Sequence, residues 1–217
     1  MKLFAIICTR DSNIPPITQG LVDTLCSFGV EVKILAKQSS IFEAYERGLT
    51  MCNAAETDII IYCHDDLQIL SDKASFFSAL APCVIKETGI VGPAGTTLLG
   101  KDAIWWKQDR WAQGYHRGIV KHISSNQPIQ GMSNDQRMVT PTSYGPHGQV
   151  VALDGLFLAA RKEVWNKIGL KKPTYFPGRW DFYDIQYTTT SHLLGFKNYT
   201  VDIDIIHHSN GELVGRD

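Results

Sequence analysis

The sequence predicts an α/β fold: a mostly parallel, Rossmann-like central sheet with helices on both faces, in a single domain that carries an irregular insertion. Three observations predict it. The first ~95 residues alternate short apolar runs with amphipathic stretches, the pattern of strands joined by crossover helices. The run IIIYC at 59–63 is apolar on both faces, as an interior parallel strand must be. A length of 217 residues suits one such domain and would cramp two.

The elements follow in order. Residues 3–8 read as a strand. Ile17, Leu21, Leu25 and Phe28 recur at spacings of four, four and three, which is one helix face, and Gly29 stands at its stop. EVKILA (31–36) alternates as a second strand. Ser40 and Glu43 have capping-box spacing and open a helix that places Phe42, Tyr45, Leu49 and Cys52 on one side. After the strand at 59–63 come a helix near 73–86 and a short strand at Ile90 and Val91. Residues 96–148 hold few apolar runs, many Gly, Gln, Ser, Asn and Pro, and the aromatic-basic stretch WWKQDRWAQGYHRG; they read as an irregular insertion with a candidate lid. Order returns at 149–160 as two short strands split by Asp154 and Gly155. A short helix at 161–168, another at 181–194 capped by Asp181, and a last strand at 198–206 complete the chain. One domain, 1–217, thus divides into halves at 1–95 and 149–217 around the insertion.

The formal net charge of −1 gives no electrostatic case for nucleic-acid or membrane binding. No segment approaches the ~20 apolar residues of a membrane span. The opening MKLFAIICTRD is too short an apolar run for a signal peptide, so the expected compartment is the cytoplasm. Five cysteines with no C-x-x-C pair read as reduced, small core residues.

In open parallel sheets ligands sit beyond the carboxyl ends of the strands. His64, Asp65 and Asp66 lie at such an end. Adjacent carboxylates repel unless a positive charge lies near them, and a divalent cation is one solution; a solvated, capping loop is the other. His207 and His208 also follow an apolar strand, VDIDII, and one imidazole can join the same ion or simply be structural. Asp184 falls in the first turn of its helix, where the dipole alone favours an acid; it is equally a candidate general base. Asp154 either shapes a turn with Gly155 or binds a polyol. Trp105, Trp106 and Trp111 form either a buried patch or a stacking surface for sugar rings.

Taken together these segments resemble the family-2-like glycosyltransferases with the GT-A fold. DIIIYCHDDL is similar to their strand and acidic motif, which usually ends in Asp-x-Asp (the DXD motif), and SSIFEAYERGLTMCNAAETD to the helix before it. VVALDGLFLAARKEVW resembles the acceptor-side strand pair and short helix. WDFYDIQYTTTSHLLGFKNYTVDIDIIHHS resembles the segment that carries the base and ends in a metal-binding His. The likeness is greatest to a bacterial glycosyltransferase-like subgroup whose acidic motif begins with His, and it leaves out 96–148.

The resemblance implies a metal-dependent, inverting transferase of hexosyltransferase type. Asp66 would bind Mn²⁺ or Mg²⁺ with one of His207 and His208, His207 being preferred. Asp65 would lie near the ribose or the metal. His64 replaces the usual first Asp. Cys8, Thr9 and Arg10 would hold the base and ribose of the nucleotide. Asp184 would take the proton from the acceptor hydroxyl, while Gln186 stands where relatives often carry a second acid. The implied partners are a UDP- or GDP-linked sugar donor and a carbohydrate or lipid-linked acceptor, with no nucleic acid. Three other readings compete. A sugar-phosphate nucleotidyltransferase shares the layout, but ICTRDSNIPP lacks a glycine-rich phosphate loop. A His-Asp phosphohydrolase needs a helical scaffold. A non-catalytic nucleotide-sugar-binding module would account for His64 and Gln186.

Overall fold

The computed structural model describes residues 1–9, 12–106, 113–123, 139–174 and 178–208. In chain order its first half comprises β1 (Leu3–Cys8), α1 (Pro16–Phe28), β2 (Glu31–Leu35), α2 (Ile41–Met51), β3 (Ile59–Cys63), β4 (Leu67–Ile69), α3 (Lys73–Leu80) with a 3-10 turn (Ala81–Val84), β5 (Thr88–Gly92) and β6 (Ala94–Thr96). The second half comprises β7 (His116–Ile123), β8 (Val139–Gly145), β9 (Gln149–Val150), β10 (Ala152–Leu153), β11 (Phe157–Arg161), α4 (Lys162–Ile168), α5 (Tyr183–Leu193), β12 (Lys197–Thr200) and β13 (Ile205–His207).

The larger sheet has the order β2-β1-β3-β11-β5-β12-β9. β1 pairs in parallel with β2 and β3, and β12 with β5. β11 runs against β3 and β5, and β9 against β12, so all strands but these two share one direction. Alternate residues of β1 and β3 serve opposite faces, and both faces are buried. Ala5, Ile7, Ile59, Ile61 and Cys63 pack with Leu21 and Leu25 of α1 and with Phe76 of α3. Phe4, Ile6, Ile60 and Tyr62 pack with Phe42 and Tyr45 of α2, Trp165 of α4, and Tyr183 and Tyr187 of α5. A strand covered in this way gains about 1.5–3 kcal/mol per buried large side chain, which is why IIIYC needs no polar residue.

A second sheet, ordered β10-β6-β7-β13-β4 with β8 on β7, stands at the carboxyl end of the first. It departs from the sequence reading in two places. Residues 96–148, read as irregular, contain β7 and β8, an antiparallel pair in register from Ile119–Ser143 to Ile123–Val139. The strand expected at 198–206 is two strands in different sheets: β12 ends at Thr200, and β13 begins at Ile205. Asp204 anchors the crossing, taking Lys121 Nζ at 2.7 and 2.8 Å while its N–H donates to Ser71 Oγ at 2.8 Å.

Local expectations are also refined. Gly29 ends α1 in the left-handed region, φ 90°, where its missing side chain is an advantage. The Ser40–Glu43 capping box does not form. The Ser40 hydroxyl donates to Arg179 O at 3.2 Å, and Glu43 accepts from Ser39 Oγ at 2.6 Å. Asp181 is not the cap of α5; Phe182, at φ 57°, occupies that position. All five cysteines are thiols; Cys8, Cys52, Cys63 and Cys83 are buried, but Cys26 is exposed on α1. Trp105 is core, 1% exposed and edge-on to His116 at 5.8 Å, so it offers no stacking face; Trp106 is exposed, and Trp111 lies outside the described residues. Among the described residues no helix is long and apolar enough to cross a membrane.

Candidate active site

β3 ends at Cys63, and the chain turns through His64, Asp65 and Asp66 into β4. The acidic turn therefore sits where the chain passes from one sheet to the other. Two long-range backbone bonds fix it: His64 N donates to Leu156 O at 3.0 Å, and His208 N to Asp66 O at 2.9 Å. β13 lies antiparallel to β4 with His207 opposite Leu67. That register decides which C-terminal imidazole meets the acid. His207 turns inward, while the His208 ring meets Gln68 Oε1 at 3.3 Å.

His64, Asp66 and His207 each bring one ligand-type atom within 4.8 Å of the others. His207 Nε2 is 3.4 Å from Asp66 Oδ1, His64 Nδ1 is 3.9 Å from it, and the two ring nitrogens are 3.4 Å apart. Asp66 Oδ1 is buried without a hydrogen-bond partner among the described residues. Burial opposes ionisation of Asp66, but His207 and His64 outweigh it and hold the carboxyl below its usual value. Burial likewise pulls His207 down, and Asp66 more than restores it. Two imidazoles and a carboxylate that converge in this way form a donor set that could hold a cation. A proton on His207 fills that role partly. A divalent ion with mixed imidazole and carboxylate preference fits the donor set fully.

Asp184 enters from α5. Its Oδ2 accepts from Gly155 N at 3.1 Å. Burial and the neighbouring Asp154 push its pKa up to about 7, against the pull of backbone N–H groups. Asp154 accepts from Leu156 N at 3.2 Å; burial raises it, and the field of His207 opposes the rise. Asp154 thus couples electrostatically to Asp66 on one side and to Asp184 on the other. The Asp65 carbonyl accepts from Thr18 Oγ1 at 2.7 Å. Cys8 and Thr9 are buried at the end of β1, with Thr9 N donating to Leu35 O at 3.0 Å; Arg10 lies outside the described residues. Gln186 uses its amide on Thr190 Oγ1 at 3.2 Å, one turn along α5.

Two neighbours escaped the sequence reading. Tyr183 meets His64 Nε2 at 2.6 Å and Gly155 O at 2.9 Å, although its position looks like an ordinary core position of α5. His122 of β7 stands opposite His207, with ring centroids 5.8 Å apart. Its signal was lost because no strand was expected there.

A largely parallel α/β sheet that presents an acidic motif at its carboxyl edge, facing a carboxylate of near-neutral pKa, is the arrangement of a GT-A glycosyltransferase. The chain belongs to the glycosyltransferase-like family, whose model matches residues 22–207. Two solved structures align over nearly the whole chain. The crystal structure of A197 from STIV covers 100% of this chain and 98% of its own, at 12% identity and a TM-score of 0.49. The crystal structure of GalNAc-T7 with UDP, GalNAc and Mn2+ covers 96% of this chain at 11% identity and a TM-score of 0.53. This chain spans 44% of that one, and the likeness is one of fold. No curated protein matches the sequence.

Proposed function

We propose that the protein is a metal-dependent, inverting glycosyltransferase that moves a sugar from a nucleotide-diphosphate donor to an acceptor hydroxyl. The observation that carries this reading is the convergence of His64, Asp66 and His207 beside Asp184 at the carboxyl edge of β3. The mixed donor set suits Mn²⁺ better than Mg²⁺, which prefers oxygen ligands alone. GalNAc-T7, with the same fold, was crystallised with UDP and Mn2+, which supports a UDP-type donor and a divalent ion here as well. A cation held by the three residues would supply positive charge for a departing pyrophosphate.

The remaining steps belong to the chain. Ionised Asp184 accepts the proton of the acceptor hydroxyl, whose oxygen attacks the anomeric carbon from the face opposite the leaving group. The bond from that carbon to the diphosphate oxygen breaks, the electron pair leaves with the nucleoside diphosphate, and the configuration inverts. A carboxyl with a pKa of about 7 is well matched to this work, since a base poised near the working pH gives about 10²–10⁴-fold acceleration. Cys8, Thr9 and Asp65 are proposed to line the nucleotide side, and Asp154 the sugar. The acceptor is a carbohydrate or lipid-linked hydroxyl.

The test is a titration of UDP and GDP with and without Mn²⁺, followed by donor hydrolysis and transfer assays. Metal-dependent binding together with turnover is expected. Binding without hydrolysis or transfer across a broad acceptor panel would replace the enzyme with a nucleotide-sugar-binding module.

A further inference from the structure

The Tyr183 hydroxyl touches two groups: Gly155 O at 2.9 Å and His64 Nε2 at 2.6 Å. It carries a single proton. The Gly155 carbonyl can only accept, so that proton goes to Gly155, and the Tyr183 oxygen is left to accept. The partner at 2.6 Å must then donate, so in the neutral form of His64, the form that can ligate a metal, the ring proton sits on Nε2. Its Nδ1 consequently bears a lone pair, and Nδ1 is the atom that points at Asp66 Oδ1 and His207 Nε2. Gly155 also holds the other half of the site, because its N–H donates to Asp184 Oδ2. Only glycine fits there: a Cβ would fall on the Tyr183 hydroxyl and lie 2.9 Å from Asp184 Cβ.

We infer that Tyr183 is a positioning residue: through Gly155 O it fixes the tautomer and ring orientation of His64, so that Nδ1 is presented as a metal ligand in register with Asp184. One residue, Gly155, thereby sets the ligand on one side through its carbonyl and the proposed base on the other through its N–H. The inference rests on the metal reading above, and the test separates the two.

The ring-proton tautomer is read by ¹⁵N–¹H correlation on the metal-free protein, with His64→Gln assigning the resonance; Mn²⁺ affinity is read by calorimetry. Tyr183→Phe removes the hydroxyl and keeps the ring that packs edge-on to Tyr45 and Phe42. His64 is expected in the Nε2–H form in the parent and as a mixture of tautomers in Tyr183→Phe. Mn²⁺ affinity should fall about 10–100-fold, the usual effect of losing an outer-shell partner. An Nδ1–H tautomer in the parent, an unchanged tautomer in the variant, or an unchanged Mn²⁺ affinity overturns the inference. A parent that binds no Mn²⁺ sinks the metal reading, and the tautomer shift then still decides what Tyr183 does.

Discussion

Asp184→Asn keeps the shape of the side chain and its acceptor for Gly155 N–H while removing the charge. The folded protein holds this carboxyl at about 7, against an ordinary 3.8. Below about pH 4 folded and unfolded chains both carry the proton, and the group contributes nothing. Between there and about pH 7 the folded state retains a proton that the unfolded chain has released, so stability drains away as pH rises. Above that the whole penalty is present. At about 1.36 kcal/mol per unit the shift corresponds to an upper bound of roughly 4 kcal/mol, and partial solvent contact reduces it to on the order of 2–3 kcal/mol. Urea unfolding should therefore find Asp184→Asn equal to the parent near pH 4 and about 2–3 kcal/mol more stable near pH 8, roughly 4–12 °C in Tm for a domain of this size. Transfer should fall by about 10²–10⁴-fold while nucleotide binding is kept. In the parent, transfer should climb as pH passes through about 7. Equal stability at pH 8 would refute the buried-charge argument, and transfer at the parent rate would refute the base assignment.

Asp66→Ala should abolish Mn²⁺-dependent UDP binding in calorimetry without unfolding the protein, because it removes the oxygen on which both imidazoles converge. Arg161→Ala should cost roughly 3 kcal/mol in chemical denaturation. This guanidinium, 5% exposed, donates to the Cys83, Ile85 and Lys86 carbonyls and pairs with Glu163 at 2.8 Å. Trp165→Ala should cost about 3–5 kcal/mol by opening a cavity, aggravated by leaving Ile60 O without the indole N–H at 3.1 Å. A thiol reagent should label Cys26 quickly in the native protein and all five cysteines after denaturation.

What the sequence revealed was local in origin. β1 and β3 are legible because both faces are buried, so apolarity persists without a gap; α1 is legible because its period and Gly29 are neighbours in the chain. β8 was not legible because, among the described residues, it pairs with β7 alone, is largely exposed, and includes Pro141, which an edge position tolerates. The break between β12 and β13 is hidden because Val201, Ile203 and Ile205 all turn inward across the crossing, so alternation continues through a change of sheet. The site divides in the same way. His64, Asp65 and Asp66 announce themselves at a strand end. The choice between His207 and His208 depends on the register with β4, a contact some 140 residues away in sequence. Tyr183 and Gly155 give no local sign, since their part is played by a hydroxyl and a carbonyl that meet only in the fold.

A site with three interacting carboxylates does not hold itself together, and the reason it stays assembled lies behind it. Tyr45 and Tyr62 stack at 4.3 Å, Trp165 meets Tyr62 edge-on at 4.7 Å, and Tyr187 joins Trp165 to Tyr183, each pair at 6.1 Å. Such pairs add about 0.5–1.5 kcal/mol each beyond the area they bury, enough in sum to offset the ionisation penalty at Asp184. The block joins β3, α2, α4 and α5, and it reaches the site at two points: Tyr62 lies two residues before His64, and Tyr183 immediately precedes Asp184. Both halves of the site are therefore mounted on aromatic packing that draws on none of the site's charged groups. It follows that Asp66→Ala and Asp184→Asn remove charge from a frame that does not depend on them, so their effects on binding and transfer report chemistry and not collapse.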